Sequence, residues 1–144
     1  MSSNKKPRFD RAPSDSTKVP RVNENPNAYY ERHPVWRFSL LDVGCPLYGW
    51  NLLDGGTLFE IRDRLAYYER MTFREIVDAK CHEIETWKLC KDARDRVEEL
   101  RIHPESIMSF RVNSRGRIWG VRTGNVVDLL WWDPKHAVYP VYAK

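Results

Sequence analysis

Hydrophobic and polar residues alternate with the two-residue period of a half-buried β-strand in two parts of the chain. The first part is short and has Trp36, Phe38 and Leu40 as its apolar positions. The second is the last forty residues, where turn residues at 113–116 and 123–125 separate three largely apolar stretches. These stretches predict a three-stranded antiparallel meander, whose last strand is apolar enough to be covered on both faces.

Between these two parts, apolar residues recur at helical spacing. A capping box from Thr57 to Glu60 predicts the start of one helix, because the hydroxyl group can accept from a free backbone amide while the carboxylate reaches back. A second capping box, from Thr72 to Glu75, predicts a short helix. A third helix is expected from about residue 86 to residue 100, with one apolar face and charged residues on the others.

The order of one strand, helices and three strands predicts a single α+β domain over residues 35–144. We expect a small antiparallel sheet, formed by the N-terminal strand and the C-terminal meander, with two to three helices packed on one face. Residues 1–34 have a different composition, with five of the nine prolines, many Ser and Asn residues and few aliphatic ones. Such a segment buries too little apolar surface to offset the entropy cost of ordering it, so a disordered basic tail is expected.

The formal charge of +4 is unevenly distributed. Residues 1–34 contain seven Lys and Arg against four Asp and Glu, which leaves 17 and 16 for the predicted domain. Within that domain the acidic residues concentrate on the predicted helices, and the segment from 101 to 122 holds five arginines against a single carboxylate. This separation favours a phosphate-bearing partner over a generally basic protein.

The arginines of the last strands are the main candidate binding residues. A guanidinium group can bind a phosphate through two hydrogen bonds, and neighbouring antiparallel strands bring side chains within about 5 Å of each other. We therefore expect Arg111 and Arg117 to converge on phosphate, and a wider nucleic-acid surface to include Arg115, Arg122 and Lys135, with Trp119 as a stacking platform. The alternative is that the arginines pair with helix carboxylates while the tryptophan fills the core.

His136 lies just beyond the last predicted strand and is the candidate proton-transfer group, since imidazole exchanges protons near neutral pH. Tyr139 follows three residues later and is placed to donate a proton or to stack. The alternative is an ordinary loop histidine with a hydrogen-bonded ring. Cys81, His82 and Cys90 match no common zinc spacing, and nucleotide-binding and metalloprotease motifs are missing from the sequence, so neither a metal nor a cofactor is expected.

Cysteine content and hydropathy predict the compartment. The chain has three cysteines without a Cys-x-x-Cys pair, which is typical of a reduced cytoplasmic protein. No apolar run approaches the roughly 20 residues that a membrane helix needs, so no membrane partner is expected.

The order of these elements carries a family resemblance. A charged helix ending at residue 100 leads into Phe110-Arg111-Val112, a turn, Arg117-Ile118-Trp119-Gly120, an apolar strand and His136-Ala137-Val138-Tyr139. This order resembles the RelE/ParE toxin superfamily, whose small α+β domains place helices before an arginine-bearing C-terminal sheet. The resemblance covers roughly residues 87–139, and the segment 130–136 is also similar to toxin-like bacterial and phage proteins. The loop at 42–56 and the short second helix are insertions relative to the minimal fold.

The resemblance implies a metal-independent mRNA endoribonuclease that acts on the ribosome and is neutralised by an antitoxin protein. It implies that Arg117 and Arg111 stabilise the charge of the reacting phosphate, that His136 is the general acid or base, and that Tyr139 assists or orients. Two alternatives stay open, because one fold supports several functions. One is a non-catalytic RNA- or protein-binding module on the same scaffold. The other is a ParE-like inhibitor that acts through protein contact.

Overall fold

A computed structural model describes residues 28–79 and 81–140. It contains three α-helices and five β-strands, in the order β1 Val35–Arg37, α1 Gly55–Glu69, α2 Phe73–Asp78, β2 Glu83–Glu85, α3 Lys91–Glu99, β3 Ser106–Arg111, β4 Arg117–Thr123 and β5 Val126–Asp133. Three short 3-10 turns lie at Ala28–Glu31, Trp50–Leu52 and Thr86–Lys88. The predicted α+β class is confirmed. None of the helices in the described residues is long and apolar enough to cross a membrane.

The five strands form one sheet in the order β1-β5-β4-β3-β2. The predicted meander is confirmed as β3, β4 and β5, which pair antiparallel. Two details of the predicted sheet are wrong. The sheet has a fifth strand, β2, which pairs antiparallel with β3, and its N-terminal strand β1 pairs parallel with β5, so the sheet is mixed.

A β-bulge in β5 changes the alternation of its side chains. Trp119 pairs with Trp131 and Gly120 pairs with Leu129, so Leu130 is an extra residue with no partner on β4. The carbonyl of Leu130 instead accepts from the backbone N–H of Asp42 at 2.9 Å and, in a second bond, from a tryptophan indole. The bulge therefore attaches the long loop before α1 to the central strand.

The helices cover both faces of the sheet, so the expected packing on one face is wrong. Neighbouring residues of one strand point to opposite faces, and each face has its own buried cluster. One cluster joins α1 and α2 to strand residues such as Phe110 and Ile118, and we call this side the α1/α2 face. The other joins Ala93 and Val97 of α3 to Trp119 and Trp131, and we call it the α3 face.

One of the two predicted capping boxes is present at the start of its helix. The capping box from Thr72 to Glu75 is confirmed at the start of α2. The predicted box from Thr57 to Glu60 is wrong: α1 begins at Gly55, because the carboxylate of Asp54 accepts from the backbone N–H of Thr57 at 2.7 Å. The expected third helix is divided into a 3-10 turn and α3 by extended backbone at residues 89–90.

The predicted tail of residues 1–34 lies outside the described residues as far as residue 27. Its remaining part belongs to the fold. Tyr29, in the first 3-10 turn, packs edge-on against Phe73 of α2 with 5.4 Å between ring centroids. On the same ring lies the guanidinium of Arg122, 3.7 Å from the centroid. These aromatic and cation–π contacts hold the turn against the α1/α2 face.

Candidate functional site

The candidate site lies at one end of the sheet, where β3 ends, β4 begins and β5 ends. Arg111 pairs in register with Arg117, and Arg117 pairs on its other side with Asp133. Strand alternation puts all three side chains on the α3 face, because they share it with Trp119 and Trp131. Two arginines and the residue that starts the His136 loop are therefore neighbours.

The turn between β3 and β4 draws the two guanidinium groups together. Arg111 donates from Nε to the carbonyl of Asn113 at 3.3 Å, and Arg117 donates from Nη1 to the same carbonyl at 3.1 Å. The side chain of Asn113 in turn accepts from the backbone N–H groups of Arg115 and Gly116, at 3.1 and 2.6 Å. One turn residue thus fixes the turn and orients both arginines.

The positive charge of this cluster is not balanced by ion pairs. Within residues 28–79 and 81–140, none of its four cations forms an ion pair with a carboxylate: Arg111, Arg115, Arg117 and Lys135. Some arginines elsewhere in the fold are paired, such as Arg74 with Glu31 and Arg96 with Asp42. Burial lowers the pKa of Arg117, and the nearby charge of Arg111 lowers it further. Such crowding of like charges is favourable for an anionic ligand.

A buried carboxylate shapes the loop that carries His136. Asp133 is fully buried, and its Oδ1 accepts from the N–H of Ala137 while its Oδ2 accepts from the N–H of Val138, both at 2.9 Å. Oδ2 also accepts from the indole N–H of Trp119 at 3.2 Å. His136 adopts a φ of 56°, a left-handed conformation that residues other than glycine seldom take. The loop is therefore held in a specific, strained shape.

The electrostatic environment of His136 favours its neutral form. Burial lowers the pKa of His136, and the charge of Arg117 lowers it further, against a smaller opposite effect of Asp133. The imidazole is therefore largely unprotonated at pH 7. A neutral imidazole near the guanidinium group of Arg117 can accept a proton from a group bound there.

The structure thus brings together Arg111, Arg117 and His136, with the exposed Arg115 and Lys135 at the same end of the sheet. Tyr139 is half-buried against the cluster of the α3 face. No hydrogen bond joins its side chain to another residue in the described part of the chain.

Two of the predicted binding residues lie elsewhere. Trp119 is 1% exposed and belongs to the core, so it is not a stacking platform. Arg122 is five residues from Arg117 on the same strand, which puts it on the opposite face and about 17 Å away. It pairs there with Glu83 at 3.0 Å and is not part of the cluster.

Behind the site, on the α1/α2 face of the sheet, lie groups that sequence reasoning missed. The hydroxyl of Tyr68, on α1, donates to the carbonyl of Arg111 at 2.6 Å, and Cys81 lies 3.4 Å from that hydroxyl. Burial raises the pKa of both side chains, while the positive charges of Arg64 and Arg117 lower it in part. Arg64 is therefore a further cation near the cluster, and only the packing of α1 against the sheet reveals it.

One exposed carboxylate lies at the edge of the cluster. Glu60 of α1 accepts from the side-chain amide of Asn113 at 3.3 Å. Among residues 28–79 and 81–140, no three His, Cys, Asp or Glu side chains are grouped closely enough to hold a metal ion.

No family model, curated protein or solved structure matches this chain. The resemblance to the RelE/ParE superfamily therefore stays a prediction.

Proposed function

We propose that this end of the sheet binds RNA and cleaves it in the manner of a RelE-like endoribonuclease. The observation that supports this most directly is the convergence of Arg111 and Arg117 on one carbonyl, beside a histidine whose pKa is lowered. Two guanidinium groups can stabilise the charge that develops on a reacting phosphate, and a neutral imidazole can accept the proton of an internal hydroxyl group.

Binding comes first and depends on the cations of this cluster. Arg111 and Arg117 hold one phosphate, and the exposed Arg115 and Lys135 contact its neighbours along the strand. Each phosphate neutralised on single-stranded RNA contributes about −0.7 to the slope of log K against log salt, so these three phosphates give a slope of about −2. This steep salt dependence distinguishes RNA binding from contact with a neutral protein surface.

The cleavage step is a transesterification within the RNA. Neutral His136 accepts the proton of a ribose 2′-hydroxyl, and the 2′-oxygen forms a bond to the adjacent phosphorus. The bond from phosphorus to the 5′-oxygen breaks, and that oxygen takes a proton from solvent. The products are a 2′,3′-cyclic phosphate and a free 5′-hydroxyl. Arg111 and Arg117 stabilise the additional negative charge of the pentavalent phosphate, which is the role that a metal ion has in other nucleases.

The proposal includes a cytoplasmic site of action, ribosome-bound mRNA as the substrate and an antitoxin protein as the neutralising partner. An antitoxin that covers the cluster would place carboxylates against its unpaired cations. Such a contact would block RNA binding by competition for the same charges.

A second candidate function is RNA binding without cleavage. The position of Tyr139 favours this alternative, since the residue packs against the α3-face cluster. The cleavage step would then have His136 as its one proton-transfer group. Under this alternative His136→Ala leaves both RNA binding and RNA integrity unchanged.

Cleavage is tested by inducing the wild-type protein in a bacterium and mapping mRNA ends by primer extension. The purified protein is then incubated with a short RNA and with the same RNA carrying 2′-O-methyl groups, each with and without EDTA. We expect growth arrest, new mRNA ends, a cyclic phosphate product, insensitivity to EDTA and no cleavage of the methylated RNA.

The variants Arg117→Ala and His136→Ala separate the roles. A general base contributes typically 10²–10⁴-fold, so His136→Ala should lower the cleavage rate by at least about 100-fold with little change in RNA affinity. Arg117→Ala should weaken both. Arg74→Ala is the matched control, since it removes an exposed arginine that pairs with Glu31 away from the cluster. Intact mRNA after induction of the wild type, together with RNA binding in vitro, would replace the enzyme by the non-catalytic module.

A further inference from the structure

A cavity of about 390 Å³ opens beside the candidate site. Its walls come from the loop before α1, from the first turn of α3 and from the loop after β5. Its lining includes Leu47, Tyr48, Leu52, Asp92, Pro134 and Lys135. Ligand sites in proteins span roughly 300–1,000 Å³, so this cavity is of the size that takes one small planar group.

The cavity is contiguous with the cluster that the proposed function uses. Lys135 and Ala137 line it, and they are the two residues on either side of His136. Asp133 lines it as well and pairs in register with Arg117. A nucleotide whose phosphate lies on the arginines therefore has its base, or the base next to it, within reach of this cavity.

The walls offer apolar surface for a ring and two polar groups for its edge. Leu47 and Leu52 are about half exposed, at 50% and 54%, which leaves apolar area for a base to cover. Asp133 is fully buried and already accepts from three donors of the protein. The polar groups that stay available at the rim are the exposed carboxylate of Asp92 and the exposed ammonium group of Lys135.

A carboxylate and an ammonium group select among the four bases by their hydrogen-bond patterns. Guanine presents two adjacent donors, N1–H and the 2-amino group, which match both oxygens of a carboxylate, and its O6 beside them accepts from an ammonium group. Adenine, cytosine and uracil lack that pair of adjacent donors. The combination of Asp92 and Lys135 therefore fits guanine best.

We propose that this cavity is a base-specific subsite that receives a guanine of the bound RNA, with Asp92 as the residue that reads it. The proposal rests on the proposed function, because it takes the RNA backbone to lie on Arg111 and Arg117. It adds sequence preference to a surface that would otherwise bind any RNA.

The test measures binding and does not depend on cleavage. Short 2′-O-methyl oligouridines that carry a single central G, A, C or U are titrated with the full-length protein by fluorescence anisotropy. We expect the G-containing probe to bind about tenfold more tightly than the U probe, as one good bidentate contact provides. Asp92→Asn should reduce that ratio to near one while the affinity for the U probe is kept or slightly increased.

Asp95→Asn is the matched control. It removes a carboxylate from the same helix, one turn further along, where Asp95 pairs with Lys91 and does not line the cavity. We expect it to retain the preference for guanine. Circular dichroism of both variants establishes that α3 is intact.

Each outcome decides the proposal. Equal affinity of the wild type for all four probes overturns the subsite and leaves RNA binding at the arginine cluster in place. No binding to any probe overturns both. A guanine preference that survives Asp92→Asn also overturns the assignment. Free GMP that competes with the G probe in an Asp92-dependent manner, without any preference among the RNA probes, would make the cavity a mononucleotide site and overturn its role in reading RNA.

Discussion

Replacing Asp133 by asparagine should destabilise the protein more than any other isosteric change at this end of the sheet. The buried carboxylate accepts from three donors, namely the indole of Trp119 and the amides of Ala137 and Val138. An amide keeps one acceptor oxygen, so one buried N–H loses its partner, at a cost of about 1–3 kcal/mol. The two hydrogen bonds that persist become weaker because their acceptor is no longer charged. Part of this loss is offset because the variant no longer buries a charged group. The net loss in free energy of unfolding should be about 2–4 kcal/mol.

Urea unfolding followed by tryptophan fluorescence measures this loss, and an unchanged slope of free energy against urea keeps the comparison valid. Asp128→Asn is the matched control on the same strand. Asp128 lies 3.1 Å from Nε of the mostly exposed Arg37, without the alignment of a hydrogen bond. Because Arg37 is mostly solvent-exposed and the buried Oδ1 of Asp128 accepts no hydrogen bond, Asp128→Asn should cost only about 0–1 kcal/mol. If Asp133→Asn costs no more than Asp128→Asn, the anchoring role of Asp133 is refuted.

The same substitution reports on the candidate base. The charge of Asp133 raises the pKa of His136 against the larger effects of burial and Arg117. Removing that charge should therefore lower the pKa of His136 further. An NMR titration of the imidazole C–H signals in the wild type and in Asp133→Asn measures the change, and an unchanged or higher midpoint would contradict the electrostatic link.

Three further predictions concern stability. Asp42→Ala should cost about 3–5 kcal/mol in urea unfolding, because it leaves Arg96 without its buried partner. Burial raises the pKa of Asp42, but hydrogen bonds from Arg96, Trp131 and Gly44 have the larger combined effect, and the pKa is lowered. The contribution of Asp42 to the free energy of unfolding should therefore be complete above about pH 4 and be lost as the pH falls below that value. The lowered pKa of His136 should make stability decrease as the pH falls through about 6.5, because the unfolded chain then takes up a proton that the folded protein does not. In a profile of thermal midpoint against pH, His136→Gln should flatten this decrease. Gly116→Ala should lower the thermal midpoint more than Gly124→Ala, because a Cβ at 116 would collide with a buried tryptophan ring while the left-handed Gly124 has open space around it.

The meander was predictable because its signals are local. Each strand has its own alternation, and turn residues separate the strands. β2 gave no such signal, since Ile84 is its one apolar residue and it lies at the sheet edge. The parallel pairing of β1 with β5 joins residues about ninety positions apart, and nothing within either segment specifies it.

The candidate site shows the same division between local and tertiary information. The hairpin register made Arg111 and Arg117 neighbours, which their spacing around a short turn predicts. The separation of Arg122 from Arg117 was also readable, because residues five apart on a strand face opposite sides. The burial of Trp119 was not readable, since it follows from the packing of α3 on that face.

The extra residue in β5 connects the cavity beside the candidate site to the central strand. If Leu130 were deleted, the ladder with β4 would become regular, and Trp131 and Asp133 would keep their partners on β4 and their faces of the sheet. The loop before α1 would instead lose the carbonyl that accepts from the backbone of Asp42 and from an indole N–H. That loop supplies Leu47, Tyr48 and Leu52 to the cavity wall. A different apolar side chain at position 130 retains this carbonyl, so the shape of the proposed base subsite depends on the presence of the residue more than on its identity.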